Sequence, residues 1–249
     1  MGLLKKEVFV CFDCESTGLD PEKDRIIEIA AVKFTFDSIL ESKEALINPE
    51  ILIPQETTRI HHITDAMVQK SPKIQEVIQD YLNCIGEHIV VGHGIPFDLA
   101  LLHAEANRVG VTSHLFNQRY LDTLRLARLY GESPTNSLES LRKHFNIRAI
   151  NAHRAMSDVL VNIDVFKYLS QGFHKVEEIF KKLEKPIALK AMPLGKHKGR
   201  PFGEIPTEYL NWACHQKFDQ DLLFSLRLEL KKRKGGMQFF QAANPFSNL

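Results

Sequence analysis

The sequence predicts an α/β domain built on a mixed sheet, followed by a small, basic, mainly helical module. Three observations carry this prediction. An apolar, β-branched meander fills the first fifty residues; short strands and amphipathic helices alternate from about His88 onward; and Glu184-Lys185-Pro186 marks a break before a Gly/Pro/basic loop. With 249 residues and 44% hydrophobic content, the chain can bury one mid-sized core and carry an appendage.

Each element follows from local pattern. Glu7 to Phe12 is short and apolar enough for a buried strand, which Ser16-Thr17-Gly18-Leu19-Asp20-Pro21 breaks as a turn. Ile26 to Phe36 and Ile39 to Ile47 are the next strands, joined through Asp37-Ser38 as a hairpin. Pro49, Pro54 and Pro72 punctuate an irregular stretch, within which Thr64-Asp65 opens a short helix. Ile74 to Ile85 reads as another helix. His88 to Val91 is a brief buried strand. After a Gly-His-Gly turn, Leu99, Leu102 and Ala106 recur at helical spacing in a helix from Phe97 to Val109. Leu121-Asp122-Thr123 closes a short strand and opens a helix toward Tyr130. Ser137 is placed to cap Leu138 to Phe145, and His153 to Leu169 forms a longer helix.

Charge is unevenly spread. The formal net charge is +1, yet from Lys190 onward ten Lys/Arg stand against five Asp/Glu, which leaves the preceding residues net acidic. An acidic body with a basic end suits a carboxylate site beside an element that attracts phosphate; a solvated basic helix is the plainer alternative. Cys11 and Cys14 form a C-x-x-C with no second pair of soft ligands nearby, and are read as buried strand residues. The cysteines suggest no secretory framework, no apolar run reaches the length of a membrane span, and the start lacks a signal-peptide core. A cytoplasmic protein with no membrane partner is therefore expected.

The residues that carry chemistry lie at element ends. Asp13 and Glu15, two apart at the edge of the first strand, project to one face, and two adjacent anions repel unless a cation offsets them. Asp98 opens a helix, where complementing the helix dipole is an equally good account. His153 and Asp158 are five apart, about 140° around a helix axis, so they border one site only if His153 sits at the frayed helix start. Taken singly, these are ordinary surface or capping residues. Together they form the oxygen-rich set that Mg²⁺ or Mn²⁺ prefers, with an imidazole beside it.

Asp13-x-Glu15-Ser-Thr-Gly, His93-x-x-x-Phe97-Asp98 and His153-x-x-x-x-Asp158 occur in that order. The pattern resembles the DEDDh branch of the DnaQ-like 3′→5′ exonucleases, which includes the ε proofreading subunit of bacterial DNA polymerase III. The resemblance covers about residues 5 to 170 and implies a ribonuclease-H-like fold, a five-stranded mixed sheet flanked by helices. It implies hydrolysis at the 3′ end of DNA, single-stranded or frayed, by two divalent cations, Mg²⁺ or Mn²⁺, in proofreading or repair. The open alternatives are RNA as substrate, attachment to a polymerase as a subunit, and an inactive nucleic-acid-binding or scaffold protein.

By the same resemblance, Asp13, Glu15 and Asp158 hold one metal, Asp13 reaches the second, and Asp98 helps hold that second metal or its water. His153 is the general base. Ser16, Thr17, Gly18 and Leu19 contact the terminal nucleotide, Leu19 against its base. Ile60 and His61 approach the 3′-terminal sugar, and His93 and Phe97 line the same pocket. On the residues alone, Ile60 and Phe97 are core residues and His61 a surface loop residue. Two positions depart from the family pattern: Gly94 stands where Asn is usual, and His62 where Gly is usual. Neither removes a metal ligand.

The expected organisation is a catalytic domain over residues 1–184, a basic module over 190–234 and a flexible tail over 235–249. The module's Met192-to-Pro201 loop and its Ile205-to-Trp212 segment resemble a small uncharacterised domain attached to some of these exonucleases. Lys196, Lys198 and Arg200 near Tyr209 and Trp212 suit single-stranded nucleic acid. The favoured expectation is nonetheless that Tyr209 and Trp212 form the module's small core, with Thr207 capping its first helix.

Overall fold

A computed structural model describes residues 3–133, 135–148 and 154–242, with the side chains of 236–242 excepted. It divides into two compact units, residues 1–182 and 183–249. The first unit holds a five-stranded sheet made of β1 (Phe9–Ser16), β2 (Ile26–Phe34), β3 (Ile39–Leu46), β4 (Ile89–Gly92) and β5 (Tyr120–Asp122). Its order is β3-β2-β1-β4-β5. The hairpin-linked strands β1, β2 and β3 pair antiparallel, whereas β1–β4 and β4–β5 pair parallel. The strands β1, β4 and β5 therefore end at one edge of the sheet, where crossover loops gather side chains from distant parts of the chain.

The helices of this unit are α1 (Gln55–His61), α2 (Asp65–Val68), α3 (Ile74–Ile85), α4 (Pro96–Arg108), α5 (Thr123–Tyr130), α6 (Leu138–His144), α7 (Ala155–Leu169) and all but the last residue of α8 (Val176–Leu183). The two-residue alternation of β1 divides the core. Val10, Phe12 and Cys14 pack with Ile78 and Tyr81 of α3 and with Leu99 and Leu102 of α4. On the opposite face, Phe9 joins Phe34, Phe36 and Phe166 in an edge-to-face cluster, its ring centroid 5.1 Å from that of Phe166 on α7. The Cys11 Sγ donates to the Val159 carbonyl of α7 on the same side. Odd-numbered residues of β1 thus face α7 and even-numbered ones face α4. Cys11, Cys14 and Cys84 are buried free thiols, so the C-x-x-C is a strand feature.

Several boundaries differ from the sequence reading. β1 continues four residues beyond Phe12, because the ladder with β2 runs through Glu15↔Glu28 to Ser16↔Ile26. The proline-punctuated stretch contains α1, a helix of two turns starting after Pro54. Pro54 lies just outside the helix, where a missing N–H does no harm. Among the described residues, no helix is long and apolar enough to cross a membrane.

The second unit contains α9 (Thr207–Ala213) and α10 (Gln220–Ala242) around Met192, Phe202, Ile205, Leu210, Leu222 and Leu226. Helix α10 overruns the start of the expected tail. Gly235 and Gly236 weaken a helix by about 1 kcal/mol each without breaking it, and the first proline after Gln220 is Pro245. Residues 243–249 lie outside the described residues. Thr207 does not cap α9: it is the first helical residue, and its Oγ1 accepts from Arg233.

Candidate active site

The parallel edge of the sheet carries the acids. Asp13 and Glu15 stand on the β1 face toward α7, and Asp158 lies in the first turn of α7. One carboxylate oxygen from each of the three lies within 4.8 Å of the other two. The structure thus joins residues 145 positions apart in sequence. Asp98 arrives from the other face. It sits buried in the first turn of α4, and its Oδ1 accepts from the backbone N–H and the Sγ of Cys14, both at 3.2 Å. It is fastened to β1 between Asp13 and Glu15, outside the group of three yet close enough for its charge to act on Asp13. His153 lies outside the described residues.

The electrostatics of the site disfavour its charged carboxylates in the absence of a cation. Burial, then the charges of Asp98, Glu15 and Asp158, hold the Asp13 carboxyl well above the usual carboxylate range. Burial and the neighbouring Asp158 and Glu28 push Glu15 up to about 8. Burial raises Asp98 to about 7, against the opposing effect of its bonds from Cys14. Such mutual destabilisation of charged forms is what a hard divalent ion relieves, and three convergent carboxylates are the donors it takes. The residues present fit such an ion.

One residue the sequence reading passed over organises this face. Glu28 sits directly across the ladder from Glu15 and is fully buried. Like charges paired across strands repel, so Glu28 needs a partner. Arg154 supplies it, donating to Glu28 through Nε at 2.8 Å and Nη2 at 2.6 Å, while the Ala155 N–H donates to Oε2 at 2.9 Å. Glu28 thereby caps α7 from another strand and fixes the helix start that delivers Asp158. The signal was present in the sequence: an acid inside the apolar run IIEIAAV must be paired if it is buried.

Around the acids, Thr17 is buried, donating to Asp24 Oδ1 and accepting from the Arg25 N–H, both at 3.0 Å. The Ser16 Oγ donates to the Gly18 carbonyl at 2.6 Å. A Cβ at Gly18 would come within 2.6 Å of the Asp24 carboxylate, so a larger residue would push that carboxylate off its bonds from Thr17 Oγ1 and the Asp20 N–H. The turn presents Leu19, which is 87% exposed. Ile60, read as core on residues alone, is 58% exposed on α1. His61, read as a surface residue, is instead buried. Its Nδ1 accepts from the Ile63 N–H at 3.0 Å, and its Nε2 is buried without a partner. Phe97 is half-buried against the main core. His93 bonds Thr123 Oγ1 at 3.0 Å through Nδ1, and burial lowers its pKa to about 4, which keeps it neutral.

The two departures from the family pattern share one physical basis. Gly94 has φ +76°, and a Cβ there would meet nothing within 4 Å. Left-handed backbone suits Gly and Asn alike, so Gly94 keeps the turn that Asn would make. Its N–H donates to Asp122 Oδ1 at 2.9 Å. His62 caps the end of α1 at φ 60°, a left-handed position that favours glycine.

Fold and acid cluster together define a nuclease-type hydrolase on a ribonuclease-H-like sheet. Residues 10–166 match the family model Exonuclease (RNase_T), and the chain belongs to that family. It is 33% identical over 193 residues to a PolC-type DNA polymerase III of Caldanaerobacter subterraneus subsp. tengcongensis, covering 75% of this chain and 14% of that protein. Against the PolC-type DNA polymerase III of Bacillus subtilis it is 37% identical over 157 residues, 63% of this chain and 11% of the other. The chain therefore spans only about one seventh or less of these relatives. Among solved structures, Exonuclease X in complex with 5′ overhanging duplex DNA aligns at TM-score 0.54 and 25% identity, over 69% of this chain and 96% of that one. E. coli Exonuclease I in complex with a dT13 oligonucleotide aligns at TM-score 0.63 and 20% identity, over 72% and 44%, and shares the fold. Residues 181–231 match a second family model, QSregVF_b, described as a quorum-sensing-regulated virulence factor, which names no chemistry.

Proposed function

We propose that the protein removes nucleotides one at a time from the 3′ end of DNA, in proofreading or repair. The observation that carries this reading is the convergence of Asp13, Glu15 and Asp158 within 4.8 Å. In this reading those three residues and Asp98 hold two divalent cations, Mg²⁺ or Mn²⁺. When bound, such ions lower the pKa of the attacking water and neutralise charge on the phosphoryl group. The protein's own residues do the rest. Asp13, on the central strand, sets the position of the scissile phosphate relative to the sheet edge. His153 takes the proton from the attacking water; a group titrating near neutrality suits that task. Ser16, Thr17, Gly18 and Leu19 hold the terminal nucleotide, with Leu19 against its base. Ile60 and His61 face the sugar, and His93 and Phe97 complete the pocket. The likeness to polymerase III relatives and to an exonuclease bound to DNA supports DNA as the substrate and a polymerase as the partner.

Single-stranded DNA, a mismatched duplex and a matched RNA, each labelled at the 5′ end, would be incubated with Mg²⁺ or Mn²⁺ and with EDTA. The expected result is a descending ladder from the DNA 3′ end, with release of nucleoside monophosphates and silence in EDTA. Ladders from RNA alone, or cleavage from the 5′ end, would overturn the reading.

A further inference from the structure

We infer that the second unit carries its own binding site for single-stranded nucleic acid, built from Trp212, Tyr209 and the Lys196–Arg200 loop. This inference does not rest on the nuclease reading. Trp212 was expected in the module's core, but it is 52% exposed; the core is formed by Met192, Phe202, Leu210 and Leu226, with Tyr209 partly buried against it as expected. An exposed tryptophan leaves a large aromatic surface free for a ligand in a module whose own core is small.

The surroundings identify the ligand's chemistry. The rings of His197, Tyr209 and Trp212 touch in series as a short aromatic ladder, edge-on between His197 and Tyr209 (centroids 4.5 Å apart, planes at 76°) and tilted between Tyr209 and Trp212 (5.2 Å, 50°). His197 is buried at the inner end, and Trp212 is half exposed at the outer end. Because His197 anchors the loop, Lys196 and Lys198 on either side of it are exposed beside the ladder. Neither has an ion-pair partner among the described residues. Arg200 donates to His197 Nδ1 at 3.3 Å and remains exposed.

The platform is tied to the long helix. Arg233 of α10 donates to Thr207 Oγ1 at 2.8 Å and to the Phe202 and Gly203 carbonyls at 3.0 Å, which locks the start of α9. Bases stack on any aromatic face and phosphates follow cationic side chains, so an aromatic platform flanked by unpaired lysines suits a single strand without sequence preference.

Trp212 is the sole tryptophan in the chain, so its emission reports the site directly. The whole 249-residue chain would be titrated in EDTA with a fluorescently labelled oligothymidylate. Its anisotropy and Trp212 emission would be followed together, with heparin as a polyanion control. The expected outcome is quenching by the oligonucleotide but not by heparin. Trp212→Ala should weaken binding about tenfold, and Trp212→Phe should retain most of it. Lys196→Glu with Lys198→Glu should weaken it comparably and flatten its salt dependence. Binding seen by anisotropy with unchanged Trp212 emission would place the strand on the first unit alone, leave this face to a protein partner and overturn the inference. Equal quenching by heparin would overturn base stacking.

Discussion

The acid edge of the first unit and the aromatic loop of the second use opposite physics. At the first, Asp13, Glu15 and Asp158 are drawn together in partly desolvated surroundings, held by a central strand and a capped helix. At the second, Trp212 and two lysines stand in water on a short helix and a loop. A site for chemistry must hold charge where it is uncomfortable, so that a cation and its substrate relieve it. A site for capture only has to leave a π-face and positive charge accessible. The contrast teaches that perturbed acids mark one kind of function and unspent exposed aromatics the other.

The strongest way to break this contrast is Asp13→Asn. It should abolish turnover, by about 10³-fold or more, since several kcal/mol of charge stabilisation are lost. It should also leave the metal-free protein at least as stable as before, because it removes repulsion. A loss of metal-free thermal stability would show that the cluster is structural.

The next effect is on pH. Glu15 is raised in the folded state to about 8. An acid whose folded pKa is raised favours folding while it stays protonated, and that contribution is lost as pH rises from the ordinary carboxylate range through the folded value. Melting of the metal-free protein should therefore fall between about pH 5 and 8. Mg²⁺ or Mn²⁺ should restore stability most at the upper end and release protons on binding. Calorimetry in two buffers of different ionisation enthalpy checks both.

Glu28→Gln sharpens the comparison further. It weakens the clasp on Arg154 and the cap of α7, at about 2 kcal/mol of stability, since Arg154 is partly open to water. Because Glu28 positions Asp158 without touching substrate, kcat should fall about tenfold with KM nearly unchanged. A change confined to KM would argue for direct substrate contact. The smallest effect belongs to His62→Gly, which removes a left-handed non-glycine at the end of α1 and should stabilise by about 0.5 kcal/mol in urea unfolding.

The strands and most helices were legible because their apolar periods are unbroken; Ile74–Ile85 emerges with the bounds its pattern gives. Asp13 and Glu15 were legible as a pair because strand alternation puts residues two apart on one face. Their meeting with Asp158 was legible only through the family resemblance, since no local pattern measures the distance between β1 and α7. Glu28 left a signal, an acid in an apolar run, but no pattern named its partner; α1 was obscured by flanking prolines, and His61 by a polar segment in which its neighbours Ile60 and His62 stay exposed. Trp212 misled in the other direction, because size and apolarity argue for burial, whereas Met192, Phe202, Leu210 and Leu226 already fill the small core.

The most direct measurement is anomalous diffraction from crystals soaked in Mn²⁺. The account predicts a peak about 2.1 Å from carboxylate oxygens of Asp13, Glu15 and Asp158. Cleavage activity with Mn²⁺, combined with anomalous peaks only at other residues, would contradict it.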